Sequence, residues 1–434
     1  MITHKFMRQL DCRMLLLILT ACASRSDLGP AAPSQAFSSP TPLPATPAAT
    51  PSRTPAPTAT LTYRQAIDPY TIAGLRQRGY PGGAVTVLGV IEETKDFTSY
   101  LIEYPSDGLN IRGVMQIPTR GEPPYPVIVM NHGYFSRSAY RSGDGTDRAA
   151  EFLNTRGYLT LASDYRSWGT SDYGVSLFYS GLAIDVVNLL VAIPSIPEAD
   201  PARVGMWGHS MGGAVTMKVL TIIGDNPNFH RSERSAAQRS PEPVEGSKNE
   251  GGGVVEVRAA VLYSTVSADQ ADALARWGLG CFGDVIAGES RADCNSSDIL
   301  PPGLPAELLD AFSKAASDPE TLRLISPIDH LNYVTAPVQI HYGTWDGAER
   351  SGTPPEWSIK LFNAFLEAEK PVKLVAYEGQ RHSFIGETWY QFMEATVRFF
   401  DQYVKNAPPK ADAANREALS AWTGCKLQRS EYYE

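Results

Sequence analysis

The residues of this chain best suited to chemistry stand in Gly208-His209-Ser210-Met211-Gly212. An apolar run, Val204–Trp207, leads into this stretch, and a helical segment, Ala214–Ile223, leads out of it. A serine on so sharp a strand-to-helix turn sits in strained backbone geometry, and its small neighbours let the chains pass closely. The turn lifts the hydroxyl above a sheet. It also aims the first N–H groups of the helix at one point, where an oxyanion would bind. The chemistry would be nucleophilic: a serine hydroxyl attacks a carbonyl once a histidine takes its proton and an acid orients that histidine. The bland alternative for Ser210 is a helix N-cap.

Strands and helices must hold that serine in place. Ala84–Ile91 and Thr98–Tyr104 alternate in the β manner, and Ile111–Ile117 gives a third strand, so the sheet opens antiparallel. Pro126–Met130 and Tyr158–Ala162 are short and wholly apolar, as strands buried on both faces are. The first ends in Asn131-His132-Gly133-Tyr134, and the second opens into Ser163-Asp164-Tyr165-Arg166-Ser167-Trp168-Gly169. Further strands are expected at Val204–Trp207, Ala259–Ser264, Val338–Tyr342 and Val372–Tyr377. Helices are expected at Glu151–Arg156, Leu177–Ile193, Pro355–Glu367 and Thr388–Val404. Such alternation implies a parallel sheet with right-handed crossovers. Residues 225–253 are rich in Arg, Pro and Gly and read as a disordered surface insertion. Residues 267–330 are irregular, lie between two sheet strands and take the position of a cap. The polar tail, 406–434, is expected to be peripheral.

The chain has 434 residues, 43% hydrophobic and 20% charged, enough for one large domain or two smaller ones. Its net charge of −9 gives no reason to expect a nucleic-acid partner. No uninterrupted apolar run reaches the length of a membrane span, and Leu182–Ile193, broken by Asp185 and Asn188, reads as a core helix. At the N-terminus, Lys5, Arg8 and Arg13 precede or flank a short apolar run, Met14–Ala21, which reads as an export signal. Leu19-Thr20-Ala21-Cys22 resembles a bacterial lipobox, making Cys22 the expected lipid anchor at the cell envelope. Residues 23–62, dominated by Pro, Thr, Ser and Ala, would be a disordered tether between that anchor and a catalytic domain over 63–405.

Four blocks together resemble the α/β-hydrolase superfamily: 131–134, 164–169, 205–213 and Gln380-Arg381-His382-Ser383-Phe384. Within it the chain is most similar to the prolyl-oligopeptidase and dienelactone-hydrolase branch, over roughly residues 95–405. The resemblance implies a mostly parallel, doubly wound sheet with antiparallel opening strands and a cap insertion. It also implies the chain order serine, acid, histidine. Of the seven histidines, His382 is the one that follows both Ser210 and a plausible acid, in a loop just past the last strand. Asp346, in His341-Tyr342-Gly343-Thr344-Trp345-Asp346 after the penultimate strand, is the expected acid, with Glu349 as the neighbour to test. One oxyanion donor would be the N–H of Met211. The resemblance places the second on the loop after Val127–Met130, at Tyr134. His132 and His209 are expected to pack beside the site, His341 in a strand and His330 in the cap.

These residues point to a serine hydrolase that cleaves carboxylic esters through an acyl-enzyme. Peptidases of the branch usually carry a β-propeller, for which the chain has no room. A peptidase acting on short or acylated peptides is therefore the alternative, and a non-catalytic binding protein on the same fold is the reading from another class. No His-Glu-X-X-His or paired Cys-X-X-Cys occurs, so neither metal nor cofactor is expected. Cys281 and Cys294 bracket a short stretch of the cap and, in an oxidising compartment, would form a disulfide; two free thiols are the alternative.

Overall fold

A computed structural model describes residues 62–230, 255–278 and 305–406. The export signal, Cys22, the tether, most of the 225–253 insertion, Cys281, Cys294 and nearly all of the tail lie outside these residues.

The described strands are β1 Thr86–Glu93, β2 Phe97–Ser106, β3 Leu109–Pro118, β4 Tyr125–Asn131, β5 Leu159–Ser163, β6 Ala199–His209, β7 Val257–Tyr263, β8 Val338–Gly343 and β9 Val372–Tyr377. They form one nine-stranded sheet in the order β1-β2-β3-β5-β4-β6-β7-β8-β9. The pairs β1–β2, β2–β3 and β3–β5 are antiparallel, and every later pair is parallel. This is the α/β-hydrolase sheet that the sequence predicts. Residues of β4, β5 and β7 are buried throughout. That is why these strands read as unbroken apolar runs: helices cover both faces of the sheet. On one face lie Ser180–Ala192, Met211–Ile223 and Pro355–Glu367, and on the other Asp147–Asn154 and Gly386–Phe400. The stretch Leu177–Ser195 is apolar enough to cross a membrane but is 94% buried in the protein, as expected of a core helix. Strand order reverses at β4, whose neighbours are β5 and β6. In sheets of this kind, sites form beyond the strand ends at such a reversal, and here those ends carry the loops after Asn131 and His209.

Three local expectations shift. The helix expected at 151–156 runs Asp147–Asn154. An aspartate in its first turn favours the earlier start, and Gly157, at φ +76°, ends the turn that follows. The region 267–330, read as irregular, is helical where described, at Gln270–Trp277, Ala306–Ala316 and Pro319–Ile325. Asn226 and Phe229, assigned to the insertion, pack on the body. The Asn226 side chain donates to the carbonyls of Ile222 (2.8 Å) and Arg76 (3.1 Å), and Phe229 is buried.

Two short N-terminal helices, Tyr63–Ile67 and Ile72–Gln77, pack as an arm on this body. Arg76 donates to the carbonyls of Thr221, Ile222 and Gly224 at 2.8–3.0 Å, filling acceptors that the end of a helix leaves without partners. Its guanidinium lies 3.7 Å from the centre of the Tyr333 ring.

Candidate active site

Ser210 stands between β6 and the helix Met211–Ile223 with φ 56° and ψ −121°. A non-glycine residue in that region is strained, and such strain persists only where the surroundings fix it. The glycine two positions on is there for space: a Cβ at Gly212 would lie 1.9 Å from the Asn131 carbonyl oxygen. The loop after β4 therefore runs directly against the serine, and a Cβ at Gly133 would be 3.1 Å from that of Ser210.

The structure brings three of the expected residues together. Ser210 Oγ is 2.9 Å from His382 Nε2. His382 Nδ1 is 3.1 Å from each carboxylate oxygen of Asp346. His382 sits in the loop past β9, which is tied down from several sides. Trp345 N–H donates to the Gln380 carbonyl (2.9 Å), and the His209 ring bonds the His382 carbonyl at 3.2 Å. The Phe384 N–H donates to the Tyr263 hydroxyl.

Asp346 follows β8, and its side chain is fully buried. It accepts from the N–H of Gly347 (2.8 Å), the N–H of Thr353 (2.9 Å) and the hydroxyl of Thr353 (2.7 Å). Burial pushes this carboxyl up, yet the hydrogen bond and charge of His382, with the bonds from Thr353, hold it below the usual range. The Thr353 hydroxyl has a second acceptor, the Ser264 carbonyl at 2.9 Å. It has one proton for the two. Nothing in the sequence singles out Thr353, a lone threonine seven positions past the acid. Arg276 was missed as well. From the helix Gln270–Trp277 it donates to the carbonyls of Gly347 (3.0 Å), Glu349 (2.6 Å) and Arg350 (3.2 Å), bracing the turn beneath Asp346.

Glu349, the alternative acid, is exposed and pairs with Arg381, away from His382. The remaining expected histidines sit where the sequence put them. His209 is stacked on Tyr263 with ring centres 4.4 Å apart, and burial and the charge of His382 push it down to about 3. Burial pushes His132 down to about 4 and His341, inside β8, to about 3. Burial thus makes all three weaker proton acceptors than an ordinary imidazole. His330 bonds the Arg323 carbonyl (3.1 Å).

Met211 is the first residue of its helix, and the amides of a first turn have no acceptor within the helix. Its N–H and that of Tyr134, which follows Gly133, lie on the two chain segments that meet at Ser210. Four exposed apolar side chains, Tyr134, Tyr173, Trp345 and Ile385, stand on loops after β4, β5, β8 and β9. They share the sheet edge that carries Ser210. Among the described residues no cluster of three or more His, Cys, Asp or Glu could hold a metal ion.

Residues 92–225 match the acetyl xylan esterase (AXE1) family. Over 96 residues, 22% of this chain, the sequence is 32% identical to a lysophosphatidylserine lipase, ABHD12, of Xenopus tropicalis. Over 101 residues it is 30% identical to the lipase of the same name from Danio rerio. These matches span 23% and 25% of the lipases' own lengths. Among solved structures, acetyl xylan esterase 1 from Thermoanaerobacterium sp. JW/SL YS485 is 15% identical. It covers 77% of this chain and 93% of its own, with a TM-score of 0.48. A puromycin-hydrolyzing peptidase of Mycobacterium tuberculosis is 19% identical, covering 74% of this chain and 41% of its own, with a TM-score of 0.48.

Proposed function

We propose that this protein is a serine hydrolase that cleaves carboxylic esters through an acyl-enzyme, with Ser210 as nucleophile, His382 as base and Asp346 as the acid that orients it. The observation that carries this reading is the continuous hydrogen-bonded line from Ser210 Oγ through His382 to Asp346, at 2.9 and 3.1 Å. The matched esterase family supports the ester as substrate.

In this reading Ser210 Oγ attacks the carbonyl carbon as its proton passes to His382 Nε2. The carbonyl π pair moves onto oxygen, where the N–H groups of Met211 and Tyr134 receive it. The imidazolium keeps its Nδ1–H on Asp346 and returns the Nε2 proton to the departing alkoxide. Water, deprotonated by the same nitrogen, then attacks the acyl carbon and releases the acid and Ser210. The apolar side chains on the loops around the serine suit an acyl or alcohol group with hydrocarbon character.

Fluorophosphonate labelling tests the reading. The wild type should be labelled at Ser210 and hydrolyse p-nitrophenyl esters, and Ser210→Ala should do neither. No label on folded wild type would favour a non-catalytic binding protein. Acyl-peptide substrates turned over faster than any ester would favour the peptidase.

A further inference from the structure

The block 164–169 takes no part in the chemistry above, yet its first five residues are buried against the loop that carries Tyr134. The geometry points to a positioning role: Trp168 and Tyr165 hold the peptide between Gly133 and Tyr134 in the orientation that offers its N–H to the oxyanion. The inference rests on the serine-hydrolase reading.

The carbonyl of that peptide, Gly133 O, meets His132 Nδ1 at 2.6 Å, and the 164–168 segment takes the carbonyl one residue before it and the one two residues after it. The Trp168 indole N–H donates to the Phe135 carbonyl at 2.9 Å, and the Tyr165 hydroxyl reaches the His132 carbonyl at 3.4 Å. Further along the same loop, the Asp164 carboxylate accepts the hydroxyls of Tyr140 (2.9 Å) and Ser142. The His132 ring lies between Tyr140 and Tyr165, at 4.5 and 4.3 Å between ring centres, and its Nε2 faces the Asp164 carbonyl at 3.2 Å. Asp164 and Tyr165 are wholly buried and Trp168 is 1% exposed; the bonds of Tyr165, Tyr140 and His132 lie away from water, and those of Trp168 and Ser142 are part-buried.

The clamp is itself anchored. Arg166 forks onto Asp185 of the helix Ser180–Ala192 at 2.8 and 3.0 Å and donates to the Val175 carbonyl at 3.0 Å. Tyr165 and Ser167 both hold positive φ, 61° and 72°. Two strained residues within three positions are kept only where the surroundings over-determine them. An oxyanion donor acts through placement fixed before the reaction, and a displaced donor loses most of its effect. The loop after β4 has no regular structure of its own to supply that placement, and the Asp164–Trp168 segment supplies it from outside.

Trp168→Phe removes the N–H and keeps an aromatic body. With p-nitrophenyl acetate, it should lower kcat about 10- to 100-fold and leave KM within about twofold, as expected for a donor used in the transition state. Affinity for phenylboronic acid, whose boron takes the Ser210 oxygen and places an oxygen in the same hole, should weaken in step. Tyr165→Phe should move both quantities in the same direction by less. A folded Trp168→Phe with wild-type kcat, or one in which only KM rises, overturns the inference. If Trp168→Phe gives no cooperative melt, Tyr165→Phe decides: unchanged kcat and boronate affinity overturn it. Ester hydrolysis that survives Ser210→Ala would overturn the serine-hydrolase reading, and the positioning role with it.

Discussion

Thr353→Val is the sharpest probe of how the acid is held. Valine keeps the shape of threonine and removes one hydroxyl, which donates 2.7 Å to Asp346 and lies 2.9 Å from the Ser264 carbonyl. Asp346 keeps the N–H groups of Gly347 and Thr353 and its contact with His382. A hydrogen bond to a charged group is worth about 1.5–3 kcal/mol. Because the carboxylate matters most when His382 is an imidazolium, we expect about 1–2 kcal/mol of this in the transition state, a fall in kcat of about 5- to 30-fold. KM should hardly change, because the hydroxyl does not face substrate. Stability should fall too, and the sign with pH follows from the depressed carboxyl of Asp346. A depressed carboxyl stabilises the fold above its ordinary value of 3.8, and that contribution is lost as pH falls through the folded value. The gap between wild type and Thr353→Val should therefore be widest near neutrality and close in acid. Steady-state kinetics on a p-nitrophenyl ester and urea melts at several pH values measure both effects. Wild-type kcat in Thr353→Val, or a Thr353→Ser variant as impaired as the valine, would refute the reasoning.

Ser210→Ala and His382→Ala should each lower kcat by several orders of magnitude and the pair little further, since they act as a unit; a multiplicative double variant would sink the assignment. Asp346→Asn should cost somewhat less, and a silent Asp346→Asn beside an impaired Glu349→Gln would move the acid to Glu349. Lys218, fully buried on the helix after Ser210, donates to the Phe178 carbonyl (2.6 Å), and burial pushes it from 10.5 down to about 7. Between those values the unfolded chain holds the proton and the folded one does not, so wild type should gain about 1.4 kcal/mol per pH unit on Lys218→Met from pH 7 towards 10; a constant difference across that range would contradict it. Cys22→Ser should release the protein from membranes, and fractionation that finds the wild type already free would end the lipid-anchor proposal.

Much of the site was legible because each of its parts ends a strand. The apolar runs at β4, β6, β8 and β9 mark where loops must begin, and a serine, an aspartate and a histidine on such loops converge at one sheet edge. Thr353 was not legible. Its contribution depends on a turn that folds seven residues back onto Asp346, and no spacing rule covers that turn. Arg276 was hidden for a related reason: its partners are backbone carbonyls more than seventy residues away, which carry no residue signature. The helices within 267–330 were misread as irregular. Ala306–Ala316 does carry an apolar stripe at helical spacing, Leu308, Ala311, Phe312 and Ala315, but it is short, and Phe312 meets a partner as distant in sequence as Phe178.

The arm at residues 63–77 has a consequence for how the protein is made. A chain delivered N-terminus first, by a ribosome or by an export channel, presents its strands, apart from the exchange of β4 and β5, in the order in which they lie side by side. The sheet can thus grow from one margin to the other as it emerges. The arm cannot follow that schedule. Arg76 needs the carbonyls of 221–224, which follow it by 145–148 residues, and the ring of Tyr333, which comes some 250 residues after it, on the order of 13–50 s later at ordinary elongation rates. Ile72 and Leu75, which end fully covered, wait for the helix Met211–Ile223 and then for Pro319–Ile325 to complete that cover. A nascent chain halted before Tyr333 should be cut by protease within 63–77, where the finished protein resists.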